Sequence, residues 1–400
     1  MKFGIFIGNS PPCGGFLFSN SVLLLKSKNY QDFMGKKRIN TILFNLISIF
    51  SITLISGCKE KINFDNDDAV VQIDDSKQTL LIHTDRQSAY LNDKVEKIND
   101  YAVGEKEYSR PLQHKYTWTG GSSPYTVYLS EKSNYAKALT FETNESEIIL
   151  TNLKVKTTYY LKVTSSTEII KEDSFVTEDT IIRNMYVSGV TNVRDLGGYK
   201  IGDINTKQGL IFRTGRLNEN GTDVVTDKIT AKGKQTMLEE MKVKSEIDLR
   251  MVSNNEVGCL TEGIGVLGNT VHYYQCPMDY NLSFDEEINV VALRKVFEIL
   301  GNSSNYPTFF HCSIGTDRTG YIAWLINGCL GLDEENLYRD YLFSNFGNIG
   351  GKRTISSISN KYVKTIKNTR GETLKEKTIN YLLDKGVKQS QIDTLYSMML

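Results

Sequence analysis

The chain has 400 residues, with 47 Lys and Arg against 47 Asp and Glu and a formal net charge of zero at neutral pH. That balance makes no case for nucleic acid or an anionic surface as a partner. Six cysteines without a C-x-x-C pair and four scattered histidines form no metal-ligand spacing, so neither metal nor other cofactor is expected.

Taken in chain order, the first feature is Lys36-Lys37-Arg38, followed by an apolar run from Ile39 to Leu54 that closes on Ile55-Ser56-Gly57-Cys58. A positive start, an apolar middle and small residues before the break make a secretory signal over 34–57. A cysteine directly after Ser-Gly resembles the lipobox of bacterial lipoproteins. That resemblance implies a lipid on Cys58 and a protein held beside a membrane, periplasmic or at the cell surface, with no helix through the bilayer. Such signals begin near the initiator, and Met34 stands directly before the basic cluster, so residues 1–33 are expected to be a start-site artefact. Residues 58–66 open a polar, acidic stretch that reads as a tether.

From 67 to 178 the pattern is β. Tyr125-Thr126-Val127-Tyr128-Leu129 alternates, and Tyr159, Leu161 and Val163 share one face against Tyr160, Lys162 and Thr164. Short alternating strands between turn residues argue for a sandwich. Leu153-Lys154-Val155-Lys156-Thr157-Thr158-Tyr159 resembles the L-x-P-x-T-x-Y signature of fibronectin type III domains, with Val155 in place of the proline. The resemblance implies a tyrosine corner at Tyr159 and a core anchor at Trp118. The alternative makes Trp118 and the tyrosines a carbohydrate-binding face.

Residues 180–400 carry the chemistry. His311-Cys312-Ser313-Ile314-Gly315-Thr316-Asp317-Arg318-Thr319-Gly320 reads H-C-x5-R-T. Before it, Thr308-Phe309-Phe310 fits a buried strand, and after it Tyr321 to Ile326 is too uniformly apolar for a surface helix. A loop between strand end and helix start points its amides at a phosphate dianion, the Ser313, Ile314, Gly315 and Thr316 backbone forming the cradle. Cationic neighbours and the helix dipole also pull a thiol below its ordinary pKa of about 8.5, making Cys312 a nucleophile. Arg318 offers a planar fork to two phosphate oxygens. Thr319 can donate its hydroxyl to the sulfur, and the leaving oxygen needs a carboxylic acid, first Asp317 and second Asp279.

These residues resemble the cysteine-dependent protein-tyrosine phosphatase superfamily, and more narrowly its bacterial tyrosine-phosphatase family. Two further blocks carry the narrower match: Asn192-Val193-Arg194-Asp195-Leu196-Gly197-Gly198 with Arg213-Thr214-Gly215-Arg216-Leu217, and Ile247-Asp248-Leu249-Arg250. The family loop usually reads G-K-D-R; here Thr316 replaces the lysine, which is associated with phosphoinositide binding. Asp317 is retained, which supports its acid role. Arg194 and Asp195 are expected to brace a turn before Gly197-Gly198, and these two with Asp248 and Arg250 to serve as structural ion pairs or loop braces; Arg213 and Arg216 are read in the same way, and His311 as a supporting residue of the loop. The C-terminal third should be helical over Asp333–Leu342, Thr373–Asp384 and Lys388–Leu400, flanking a mostly parallel sheet.

The expectation is an α/β cysteine-phosphatase fold behind a small β-sandwich, hydrolysing phosphotyrosine proteins through a phosphocysteine. A phosphoinositide or phytate-type phosphatase, or a catalytically silent surface-binding lipoprotein, stands as the alternative.

Overall fold

The alternation in the N-terminal half folds into two facing sheets. In the computed structural model, the described residues are 70–73, 79–166, 168–218, 228–251, 256 and 263–400. The signal over 34–57, Cys58, the tether and residues 1–33 lie outside them. One sheet contains β1 (Val70–Gln72), β3 (Gln113–Thr117) and β6 (Glu147–Leu150). The other contains β2 (Thr79–Leu80), β8 (Glu168–Thr177), β7 (Thr158–Ser165), β4 (Tyr125–Ser130) and β5 (Leu139–Thr143), in that order across the sheet. Tyr116, Trp118 and Leu150 from the first meet Val127, Leu129, Leu161, Val163 and Phe175 from the second. Trp118 is buried and meets Tyr125 edge-on with ring centroids 5.3 Å apart, so it belongs to the core and not to an exposed binding face.

The β pattern assigned to 67–178 is interrupted by helix. The α1 helix (Asp85–Leu91) starts at a capping box between Thr84 and Gln87, and α2 (Ile98–Tyr101) follows. Tyr90, Val95, Ile98 and Ala102 are buried in the same hydrophobic core as Trp324 and Phe346. Arg339 clamps the joint by donating from Nη1 to the Tyr90 carbonyl and from Nη2 to the Asp93 carbonyl, each at 3.0 Å. The sandwich is tied to the same body by Arg183, buried between two parts of the chain. Its Nη1 donates to Asp195 at 2.6 Å, its Nε to the Leu153 carbonyl at 3.2 Å and its Nη2 to the Asn152 carbonyl at 2.5 Å.

The second half is built on a six-stranded sheet. The strands are β9 (Arg194–Asp195), β12 (Ile211–Thr214), β13 (Ser245–Asp248), β14 (Gly263–Gly265), β15 (Gly268–Gln275) and β16 (Thr308–His311). Between β9 and β12 lies a small hairpin of β10 (Lys200–Ile201) and β11 (Ile204–Asn205). Across the sheet the order is β14-β15-β13-β16-β12-β9. The four inner strands pair parallel and the two edges antiparallel. Register sets Thr214, His311, Asp248 and Gln275 side by side at the carboxyl ends of the inner strands, where open α/β sheets place their ligands.

Helices α3 (Glu287–Leu300), α4 (Asp317–Leu330), α5 (Glu334–Phe343), α6 (Leu374–Asp384) and α7 (Gln389–Met399) pack around it. Every residue of α4 from Arg318 to Leu330 is buried, as its unbroken apolar run predicts. The expected C-terminal helices at 333–342, 373–384 and 388–400 are all present, with boundaries moved by one or two residues.

Candidate active site

Residues 312–316 leave β16 and turn directly into α4. Two side chains and a backbone amide hold the loop from behind by its carbonyls. Asn192 Nδ2 donates to Ile314 O at 3.1 Å and Gly315 O at 3.0 Å, and Arg213 Nη2 donates to Gly315 O at 2.9 Å. The Arg216 amide donates to Ser313 O at 3.1 Å. With its carbonyls tied outward, the loop keeps its amides for the concave side. Gly315 has φ +70°, and a Cβ there would lie 2.4 Å from the Thr214 carbonyl oxygen, so both conformation and space demand glycine.

The backing is itself a buried charge cluster. Arg194 Nε and Arg213 Nη1 both donate to Asp340, the former at 3.1 Å, and Arg194 Nη1 donates to Asn192 Oδ1. That last bond fixes which way the Asn192 amide faces. Burial, then Arg213 beside it, pushes Arg194 down to about 10, still a cation at neutral pH. Two arginines on one carboxylate leave net positive charge behind the loop.

Below the loop, His311 Nε2 meets Glu246 Oε1 and Nδ1 meets the Cys312 carbonyl, both at 3.0 Å. Burial opposes charge on His311, but the Asp248 and Glu246 carboxylates outweigh it and raise its pKa. Burial likewise works against charge on Asp248, yet His311 and Arg250 hold it well below the usual carboxylate range. Arg250 Nη2 reaches it at 2.6 Å and Tyr273 Oη at 2.7 Å. Asp195 in turn takes Arg183 and the Gly197 and Gly209 amides.

Cys312 is buried, which on its own raises a thiol; Arg318 and the hydroxyl and amide of Thr319 overcome that and hold it below its ordinary value. Glu256 opposes them. Arg318 is gripped at one end: Nη1 donates to Glu256 Oε2 at 2.7 Å and to the Leu249 and Met278 carbonyls at 3.1 Å each, and Nη2 donates to Glu256 Oε1. The Tyr280 ring lies over its guanidinium at 5.2 Å. Glu256 is a functional residue the sequence reading missed. It belongs to no motif and stands 62 positions before its partner, so no local signal marks it.

Asp317, the first residue expected as the acid, is held in an ion pair. Its carboxylate accepts from Arg353 Nη2 at 3.0 Å, Arg353 Nε at 3.2 Å and Tyr341 Oη at 2.8 Å. Although burial alone would raise its pKa, Arg353 and Tyr341 bring it below the ordinary range. A proton donor needs the opposite shift. Asp279 directly follows Met278, whose carbonyl receives Arg318, and its Oδ1 accepts the Asn281 amide at 2.9 Å. Its backbone is fixed by Asn289, which accepts from the Asp279 amide at 2.7 Å and donates to its carbonyl at 3.0 Å. Arg353, like Glu256, lay outside every motif. Thr316 is buried, its hydroxyl 3.4 Å from Asn192 Nδ2, packed in the loop's backing.

A parallel sheet whose strand-loop-helix unit surrounds a buried, acidified thiol with an arginine defines a cysteine-dependent phosphatase. Residues 185–400, more than half of the chain, match the model described as the tyrosine phosphatase family, and the chain belongs to that family. Solved structures that resemble it include the core catalytic domain of the PP-IP phosphatase SIW14 from S. cerevisiae in complex with citrate. That likeness has 20% identity over 35% of this chain and 75% of that one, with a TM-score of 0.25. TpbA from P. aeruginosa is 13% identical over 52% of this chain and 91% of its own, also with a TM-score of 0.25. No curated protein matches.

Proposed function

We propose that the protein is a phosphomonoesterase acting on phosphotyrosine in proteins through a phosphocysteine at Cys312. The observation that carries this reading is Cys312 held between Arg318 and Thr319 at the mouth of an amide-lined loop. The thiolate attacks phosphorus, forming S–P as the ester P–O bond breaks. The departing oxygen takes a proton from a carboxylic acid. Water then hydrolyses the thiophosphate, and Thr319 donates to the sulfur as it leaves. Arg318 keeps its Nε edge and one Nη2 hydrogen for two phosphoryl oxygens, since Glu256 and two carbonyls occupy the rest of the fork.

For the acid we favour Asp279, because the Arg353 ion pair keeps Asp317 ionised. The two are separated by comparing Asp279→Asn and Asp317→Asn on esters with good and poor leaving groups. Loss confined to the poor leaving group in Asp279→Asn is expected. The same selective loss in Asp317→Asn would return the role to Asp317. For the reaction itself, wild type should hydrolyse p-nitrophenyl phosphate and Cys312→Ser should not; a wild type inert towards a panel of phosphoesters refutes the enzyme.

The same proposal places the enzyme beside a membrane on the extracytoplasmic side through lipid on Cys58, supported by the basic, apolar and Ser-Gly-Cys sequence before it. Cys58→Ser should move the protein from membrane to soluble fractions. We also read the sandwich as fibronectin type III-like. Its support is Tyr159, whose Oη accepts the Lys154 amide at 2.9 Å across the turn before β7, the bond a tyrosine corner makes.

A further inference from the structure

A cavity lies at the other end of the sheet from Cys312. It measures about 380 Å³, the size of a small-molecule pocket, and opens between the sandwich and the catalytic body. Gln208 and Gly209 before β12, Lys242 before β13 and Pro307 before β16 line it, all at the amino ends of strands that bear the catalytic site at their carboxyl ends. Its floor is apolar and comes from both sides: Leu129 and Leu153 from the sandwich, Met185, Phe212 and Met241 from the body, all buried. Lys132, Lys137 and Lys242 stand at the rim, exposed and with no ion-pair partner among the described residues. The lining carboxylates are already engaged. Glu131 pairs with Lys154 at 2.6 Å, and Glu240 receives Asn152 Nδ2 and Thr236 Oγ1 at 3.4 Å each. Lys137, Asn152 and Lys242 all hold left-handed backbone, with φ of 61°, 60° and 54°. Asn152 is compensated, because its side chain accepts the Tyr186 amide at 2.6 Å and donates to the Tyr186 carbonyl at 3.0 Å. The side chains of the two lysines make no such bond among the described residues, and backbone of that kind concentrates where ligands are met.

We propose that this cavity binds a small organic anion with an apolar body, its body on Met185, Phe212 and Met241 and its charged head among Lys132, Lys137 and Lys242. A neutral hydrocarbon would leave the lysines unused, and inorganic phosphate would leave the floor uncovered. Such a ligand touches both parts of the molecule and adds to the joint that Arg183 and Gln208 make, since both line the same cavity. It leaves the catalytic loop open at the far end of the sheet, so the inference stands apart from the phosphatase reading.

The test titrates the whole chain with anilinonaphthalene sulfonate, an aryl anion whose fluorescence reports transfer to an apolar site. Phenylnaphthylamine, the same rings without the sulfonate, is the neutral control. Saturable binding of the sulfonate is expected, tighter than that of the amine. Lys137→Gln with Lys242→Gln should weaken the sulfonate by roughly tenfold and leave the amine unchanged. Ala136→Trp, at an exposed lining residue, should fill the cavity and abolish binding of both. Sulfonate binding that survives Ala136→Trp shows that the dye sits elsewhere and overturns the inference. So does binding indifferent to the loss of both lysines, an amine bound as tightly as the sulfonate, or no saturable site in the wild type.

Discussion

At the scale of single residues, Glu256 sets two opposed effects on one thiol. Its carboxylate steadies Arg318 but also disfavours charge on Cys312. Glu256→Gln should therefore lower kcat/KM by roughly ten- to a hundredfold through the loss of a charge-assisted bond. It should at the same time move the acidic limb of the pH–rate profile downward, because a negative neighbour of the thiolate has gone. The sign is fixed. The Arg318 guanidinium and Thr319 hold the Cys312 pKa below that of a free thiol, so the thiolate persists to lower pH than a free thiol's would and is lost as pH falls through the folded value. A limb that stays or moves upward in Glu256→Gln would contradict this account; rates of iodoacetamide alkylation against pH give the same answer without substrate.

At the scale of elements, the loop depends on a framework it does not contain. Asn192, Arg213 and Arg216 precede it by about a hundred positions and take its carbonyls. Asp340 on α5 holds Arg194 and Arg213 in place, and all three are buried. Removing one partner of a buried ion pair costs about 3–5 kcal/mol, because charge is left without compensation. Asp340→Asn should accordingly lower the midpoint of thermal unfolding, and should lose activity in the fraction that stays folded, as the loop carbonyls slip from Arg213. Full stability by calorimetry would show that the arginines have other support. Legibility differed between elements for a physical reason. The α4 helix could be read directly because burial on all sides leaves an unbroken apolar run. The α1 and α2 helices could not, being short and flanked by strands, with their apolar residues facing a core assembled mostly from the other half of the chain.

At the scale of the whole molecule, the sandwich is joined to the phosphatase body. Arg183 binds Asp195 on one side and the Asn152 and Leu153 carbonyls on the other, and Gln208 adds bonds to both the amide and carbonyl of Val155. Asp195 was expected to brace a turn; it does so through the Gly197 and Gly209 amides while also anchoring this joint. Wild type should unfold in one cooperative transition. Arg183→Ala leaves Asp195 buried without its cation, so the sandwich and the catalytic part should separate into two transitions by calorimetry. One unbroken transition at the wild-type temperature would mean the joint is held elsewhere.

The sequence by itself determined the position of the Cys312–Arg318 loop between a buried strand and a buried helix, and the type of residue at Gly315, Arg194, Arg213, Asp248 and Arg250 around it. All of these lie in contiguous motifs, where chemistry dictates residue type at fixed spacing. Only the tertiary structure decided that Glu256 holds Arg318, that Arg353 pairs with Asp317, and that Tyr280 stands over the arginine. Each is a contact between segments separated by tens of residues. Charge pairing of that kind depends on distance in space, and spacing along the chain carries no trace of it until the sheet brings its strand ends together.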